Sequence, residues 1–164
     1  MGLIDKSKLN RKIFLIRHAH RDTSGGRSID NGLSSKGKEQ SLRLFEFYRS
    51  RFGKADCLLM SSPKRRCIET LEPIAHYLKK QIEESDLLLE EAEEKQSKTR
   101  FQHRVKQFCI GWLETGPAMT LVCSHGDWIP AVIKELVGVE IALKKGSWVE
   151  LEETSEGLVI SDSL

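Results

Sequence analysis

The apolar positions of this 164-residue chain fall into short continuous runs separated by longer stretches of helical spacing. The runs are Lys12-Ile13-Phe14-Leu15-Ile16, Asp56-Cys57-Leu58-Leu59-Met60-Ser61 and Met119-Thr120-Leu121-Val122-Cys123, the pattern of strands buried on both faces. An exposed loop rich in Gly, Ser and Asp, from Asp22 to Asn31, follows the first. Ser34 or Ser35 caps the next helix, in which Leu42, Phe45 and Arg49 with Leu44, Tyr48 and Phe52 keep helical spacing until Gly53 stops it. Pro63 sits where a second helix starts, with Ile68, Leu71, Ile74, Ala75 and Leu78 as its apolar face and a kink or break expected near Pro73. Leu87-Leu88-Leu89 reads as a short strand and Glu90 to Glu94 as a solvated acidic loop. Phe101, Val105, Phe108, Cys109 and Trp112 mark a third helix closed by Gly116-Pro117, and Ile129 to Val137 a fourth ended by Gly138. Trp148 to Glu152 and Leu158 to Ile160 flank Ser155-Glu156-Gly157 as a terminal hairpin. Strands alternating with helices predict one α/β domain over residues 1–164, with a mostly parallel sheet.

Composition changes this picture little. A chain of this length with 39% hydrophobic residues buries a core without help from disulfides or metals. A net charge of +2 gives no reason to expect nucleic acid or a membrane as partner. No window approaches the ~18 apolar residues of a membrane span. The stretch from Met1 to Lys8 lacks the apolar core of a signal peptide, and Met1-Gly2 with Lys6-Ser7 matches a myristoylation motif only in part. Cys57, Cys67, Cys109 and Cys123 form no C-x-x-C pair, so a reduced, cytoplasmic setting is the expectation.

The candidate chemistry gathers where strands end. The first ends in Arg17-His18, the second in Ser61-Ser62-Pro63-Lys64-Arg65-Arg66, the third in Ser124-His125-Gly126. Ligands of open α/β sheets bind outside the carboxyl ends of the strands, so these histidines and arginines are expected in one pocket. Arginine offers planar, permanently charged donors to phosphoryl oxygens, and a neutral imidazole can attack phosphorus. Phosphoryl transfer needs little beyond such positioning and charge stabilisation.

At these residues the chain resembles the histidine phosphatase superfamily, which includes cofactor-dependent phosphoglycerate mutases and the small SixA-type phosphohistidine phosphatases, the latter closest in size. Leu15-Ile16-Arg17-His18-Ala19 is similar to the R-H-G/A motif, and Leu33-Ser34-Ser35-Lys36-Gly37-Lys38-Glu39-Gln40 to L-T-x-x-G-x-x-Q. Ser61 to Thr70 resembles S-S-P-L-x-R-A-x-Q-T, and Val122-Cys123-Ser124-His125-Gly126 resembles V-x-S-H-G. The resemblance implies a phosphoglycerate mutase-like three-layer α/β/α fold and a metal-independent phosphatase with no cofactor. It implies that His18 forms a phosphohistidine that water hydrolyses, while Arg17, Arg66, His125 and the Gly126 backbone bind phosphoryl oxygens. The implied substrate is a phosphorylated small molecule or a phosphoprotein.

The chain departs from the family pattern in two places. Where many members read R-H-G-E-T-x-x-N, Arg21 and Ser24 occupy the last two polar columns as candidate phosphate contacts. The general acid of an L-x-E pattern is Glu90 or Glu91, with Glu90 first; SixA-type members lack it. The short segment from Lys79 to Arg100 implies an open site, against mutase activity, which must shield the phosphoenzyme from water. Two other readings stand beside the phosphatase. His18, His20 and Asp127 could form a metal site, although Arg17 and Arg66 would repel the ion. A non-catalytic phospho-ligand module on the same fold is the other.

Overall fold

The computed structural model describes residues 10–91 and 98–163. Part of the acidic run, 92–97, and the N-terminal motif at Met1-Gly2 lie outside them. Among the described residues the strands are β1 (Lys12–Arg17), β2 (Leu58–Ser61), β3 (Glu83–Glu84), β4 (Met119–Ser124), β5 (Trp148–Thr154) and β6 (Gly157–Ser163). The helices are α1 (Ser35–Phe52), α2 (Arg65–Leu78), α3 (Lys98–Thr115) and α4 (Trp128–Val137). The strands form one sheet in the order β3-β2-β4-β1-β5-β6. β1, β2, β3 and β4 pair in parallel, whereas β5 is antiparallel to both β1 and β6.

Alternation along β1 distributes its side chains between two layers. Ile13 and Leu15 pack with Phe108 and Trp112 of α3 and Ile129 and Ile133 of α4. Phe14 and Ile16 pack with Leu44 and Tyr48 of α1 and Leu71 and Ile74 of α2. This is a three-layer α/β/α architecture, and it explains why β1 and β4 read as continuous apolar runs: both faces are covered.

Two local expectations change. Leu87-Leu88-Leu89 is not a strand: residues Asp86–Leu88 form a 3-10 turn and the short strand lies earlier, at Glu83–Glu84. Buried Arg104 of α3 explains the difference, because its NH1 draws in the carbonyls of Asp86 (3.3 Å), Leu87 (3.2 Å) and Leu89 (2.7 Å) and turns them away from a ladder. Nor does Pro73 break α2, which runs unbroken from Arg65 to Leu78. Proline cannot donate to the carbonyl four residues back. Ser41 Oγ of α1 lies 3.4 Å from that Glu69 carbonyl and donates to Thr70 O at 3.0 Å.

Among the described residues no helix is long and apolar enough to cross a membrane. Ser41→Ala is expected to cost about 1–3 kcal/mol, because buried carbonyls lose their donor at the proline. Urea unfolding of the variant beside the parent measures it.

Candidate active site

The nucleophile candidate follows directly from the end of β1. His18 is buried, its backbone N–H donates to Ser124 O at 3.0 Å, and its Nδ1 lies 2.8 Å from Ala19 O. A carbonyl only accepts, so the proton resides on Nδ1 and the Nε2 lone pair is left free. Burial, then the positive charges of Arg66, Arg17 and Lys145, holds the ring down at about 4 against the Ala19 hydrogen bond. His18 is thus neutral at ordinary pH, as a nucleophile must be.

The loop leaving His18 is docked by the Leu33–Gln40 motif. Thr70 Oγ1 accepts from Ala19 N at 3.0 Å, and Gln40 Oε1 accepts from His20 N at 2.8 Å. Ser34 caps α1 by accepting from Gly37 N and meets His20 Nδ1 at 2.7 Å. A Cβ on Gly37 would stand 2.0 Å from His20 O, so only glycine permits this approach. His20 is therefore a loop anchor, turned to Ser34 rather than paired with His18.

His125, at the end of β4, faces His18 with ring centroids 5.5 Å apart. Its Nε2 lies 2.8 Å from Ser62 Oγ, and Arg66 NH2 lies 3.4 Å from its Nδ1. Burial, then Arg66 and His18, pushes this ring down to about 2. Arg66 projects from the first turn of α2, is 3% exposed, and donates to Glu90 Oε1 at 2.7 Å. Arg17 NH1 donates to Leu143 O at 2.7 Å. Gly126 lets that guanidinium lie against the backbone, since a Cβ there would be 2.8 Å from Arg17 Cζ. Among the described residues the buried Nε atoms of Arg17 and Arg66 have no hydrogen-bond partner. Buried donors left unpaired are costly, and both guanidinium groups add positive charge around the two histidines.

Of the two carboxylate candidates, Glu90 reaches this cluster: besides Arg66, its Oε2 lies 3.8 Å from His125 Nδ1. Glu91 turns its backbone N–H to Asp127 Oδ2 at 3.0 Å. The segment carrying Glu90 is pinned by Ser124 Oγ to Leu88 O (2.6 Å), by Trp128 Nε1 to Leu87 O (2.8 Å) and by Arg104 NH2 to Glu90 O (3.3 Å). Arg21 and Ser24 are engaged inside their own loop instead. Arg21 NH2 donates to Arg27 O (2.6 Å) and Ile29 O (3.2 Å), and Ser24 N closes a turn on Asp22 Oδ1 at 2.9 Å.

Three contributors were not singled out in the sequence. Ser62 supports His125, Arg104 carries the Glu90 segment, and Lys145 acts on His18. Ser62 lay in view within its motif. Arg104 on an amphipathic helix and Lys145 in a loop had no local pattern to mark them.

A sequence model of the histidine phosphatase superfamily (branch 1) matches residues 13–99. The chain belongs to that superfamily. Compared with curated proteins it matches none by sequence. Among solved structures it is similar to mycobacterial glucosyl-3-phosphoglycerate phosphatase, at 16% identity over 92% of this chain and 97% of that one, with a TM-score of 0.73. A putative alpha-ribazole-5′-P phosphatase from Escherichia coli shares 17% identity over 92% of this chain and 94% of its own, with a TM-score of 0.73. Phosphoserine phosphatase from Entamoeba histolytica shares 16% over 93% and 96%, with a TM-score of 0.68. At such identities the likeness is one of fold.

The two depressed histidines set a pH dependence of stability. Both stay neutral in the folded protein where the unfolded chain binds protons, so stability falls as pH drops from about 6.5 toward 4. His18→Gln should shallow that slope by up to about 1.4 kcal/mol per pH unit. Urea titrations at successive pH values check this; an unchanged slope contradicts it.

Proposed function

We propose that the chain is a metal-independent phosphatase that passes the phosphoryl group through His18. The observation that carries this reading is the free Nε2 of a neutral, buried His18 within reach of the positive charges of Arg66 and Arg17. The Ala19 hydrogen bond makes the imidazole a nucleophile, and the two guanidinium groups supply positive charge for the oxygens of the group it attacks.

In the first step Nε2 bonds to phosphorus as the ester oxygen leaves. Arg17, Arg66 and the backbone at Gly126 hold the equatorial oxygens. His125, with its Nε2–H donating to Ser62 Oγ and its Nδ1 accepting from Arg66 NH2, lines the same space. Arrival of a phosphoryl dianion competes with Glu90 for Arg66 and favours the protonated carboxyl, which then gives its proton to the departing alkoxide. In the second step water attacks phosphorus, its proton returns to Glu90, and His18 is released.

A carboxylate placed at Arg66 and His125 favours phosphomonoesters over protein phosphohistidine. An alkoxide needs the proton, whereas an imidazole leaves more readily. The reading covers small phosphorylated molecules first and phosphoproteins second.

Steady-state turnover tests the assignment. His18→Ala is expected to lower kcat on p-nitrophenyl phosphate by 10³-fold or more, and chelator should leave the parent unaffected. Loss of activity to chelator, restored by a divalent metal, contradicts the mechanism. Glu90→Gln should cost roughly 10²–10⁴-fold on alkyl phosphates and much less on aryl phosphates. Equal losses on both would remove Glu90 from the role of proton donor.

A further inference from the structure

Beside the phosphoryl pocket the loop 139–147 is fastened to the end of β1. Gly146 N lies 3.1 Å from Arg17 O and 3.2 Å from His18 O, and Arg17 NH1 returns a bond to Leu143 O. Gly146 has a positive φ of 78°, and a Cβ there would meet Gln40 Cβ at 3.1 Å. The loop is thereby held between the nucleophile and the first turns of α1.

A groove of about 490 Å³ opens at this junction, lined by His20, Lys36, Gln40, Arg43, Lys144 and Lys145 among others. None of its lining residues is acidic. Arg43 shares its charge with Glu39 at 3.9 Å. Among the described residues Lys36, Lys144 and Lys145 have no carboxylate partner. Lys145 has its ammonium held below its ordinary value, by burial and then by Arg17, Arg27, Arg21 and Lys36. The cations are therefore close enough to repel one another.

The first turn of α1 adds an independent sign. It contains no acidic residue and carries Lys36, although the positive end of a helix dipole favours carboxylates there. A cation in that place opposes helix stability, and local rules are broken in this way at functional sites.

We propose that this groove receives a second anionic group, phosphoryl or carboxylate, on the same small substrate whose phosphoryl group enters the His18 pocket. The proposal rests on the phosphatase reading and narrows its substrate class to phosphomonoesters with two separated anionic ends. The first end meets Arg17 and Arg66 and reacts. The second meets Lys36, Lys144 and Lys145 and supplies binding energy away from the reacting centre.

The test compares alkanediol bisphosphates of increasing spacer length with the matching alkyl monophosphates. At low salt the parent should show a kcat/KM ratio of at least about tenfold in favour of one bisphosphate, arising in KM and shrinking at high ionic strength. Lys36→Glu with Lys144→Glu should collapse that ratio toward one. These side chains are exposed, so the double variant is expected to unfold at the parent's temperature. A second arm, with ω-phosphoalkanoates, separates a phosphoryl from a carboxylate preference. No preference in the parent, or a preference that survives charge reversal, overturns the proposal. If neither ester is turned over, the phosphatase reading fails. Calorimetric binding of bisphosphate against monophosphate, with and without the charge reversals, then decides the groove separately.

Discussion

The pairing of β4 between β1 and β2 is the constraint on which the rest of the molecule depends. Arg17 is aligned with Ser124, and Ser61 with Cys123. His18 N continues the ladder to Ser124 O, and Ser62 N to Cys123 O, each at 3.0 Å. Two histidines, two arginines and a serine that are distant in sequence thereby gather at the carboxyl ends of the central parallel strands. Packing enforces this register. A slip of one residue would send Ile13 and Leu15 into the layer that now holds Phe14 and Ile16. The same burial that stabilises the sheet thus fixes the geometry of the site.

Charge in this site is arranged against local stability. Their own burial, aided by the charges of Arg66 and Arg17, keeps both histidine rings neutral, and among the described residues the Nε atoms of both arginines have no hydrogen-bond partner. Each of these is a cost to the folded chain. On the proposed reading, a phosphoryl dianion would offset the positive charge that Arg17 and Arg66 gather beside the two rings. Glu90 moderates the cost meanwhile by engaging Arg66 at 2.7 Å. The groove beside it extends the same positive field across Lys145 to the start of α1.

The sequence made most of this visible where residue pattern and physical cause coincide. Continuous apolar runs identified β1, β2 and β4 because covered strands have no polar face. Their ends identified the pocket, because topology alone brings them together. Gly37 and Gln40 were legible as a motif, and the structure supplies the reason, the close docking of α1 on the His20 backbone. What escaped depends on contacts made across the fold. The Leu87–Leu89 segment is shaped by Arg104, fifteen or more residues away, and Pro73 is accommodated by Ser41 from another helix. Arg21 and Ser24 matched family columns, yet their partners are chosen by the conformation of the 22–31 loop, which composition does not encode. Glu90 and Glu91 were indistinguishable by spacing; the pinned backbone turns Glu90 toward Arg66.

The central claim is that His18 Nε2 takes the phosphoryl group. Rapid acid-free quenching during turnover of an activated aryl phosphate, followed by peptide mapping, measures it most directly. The account predicts phosphate on His18 that is acid-labile and base-stable, and absent from His18→Ala. Turnover by the folded protein with no phosphate on His18, or with stable label on a serine, would contradict it.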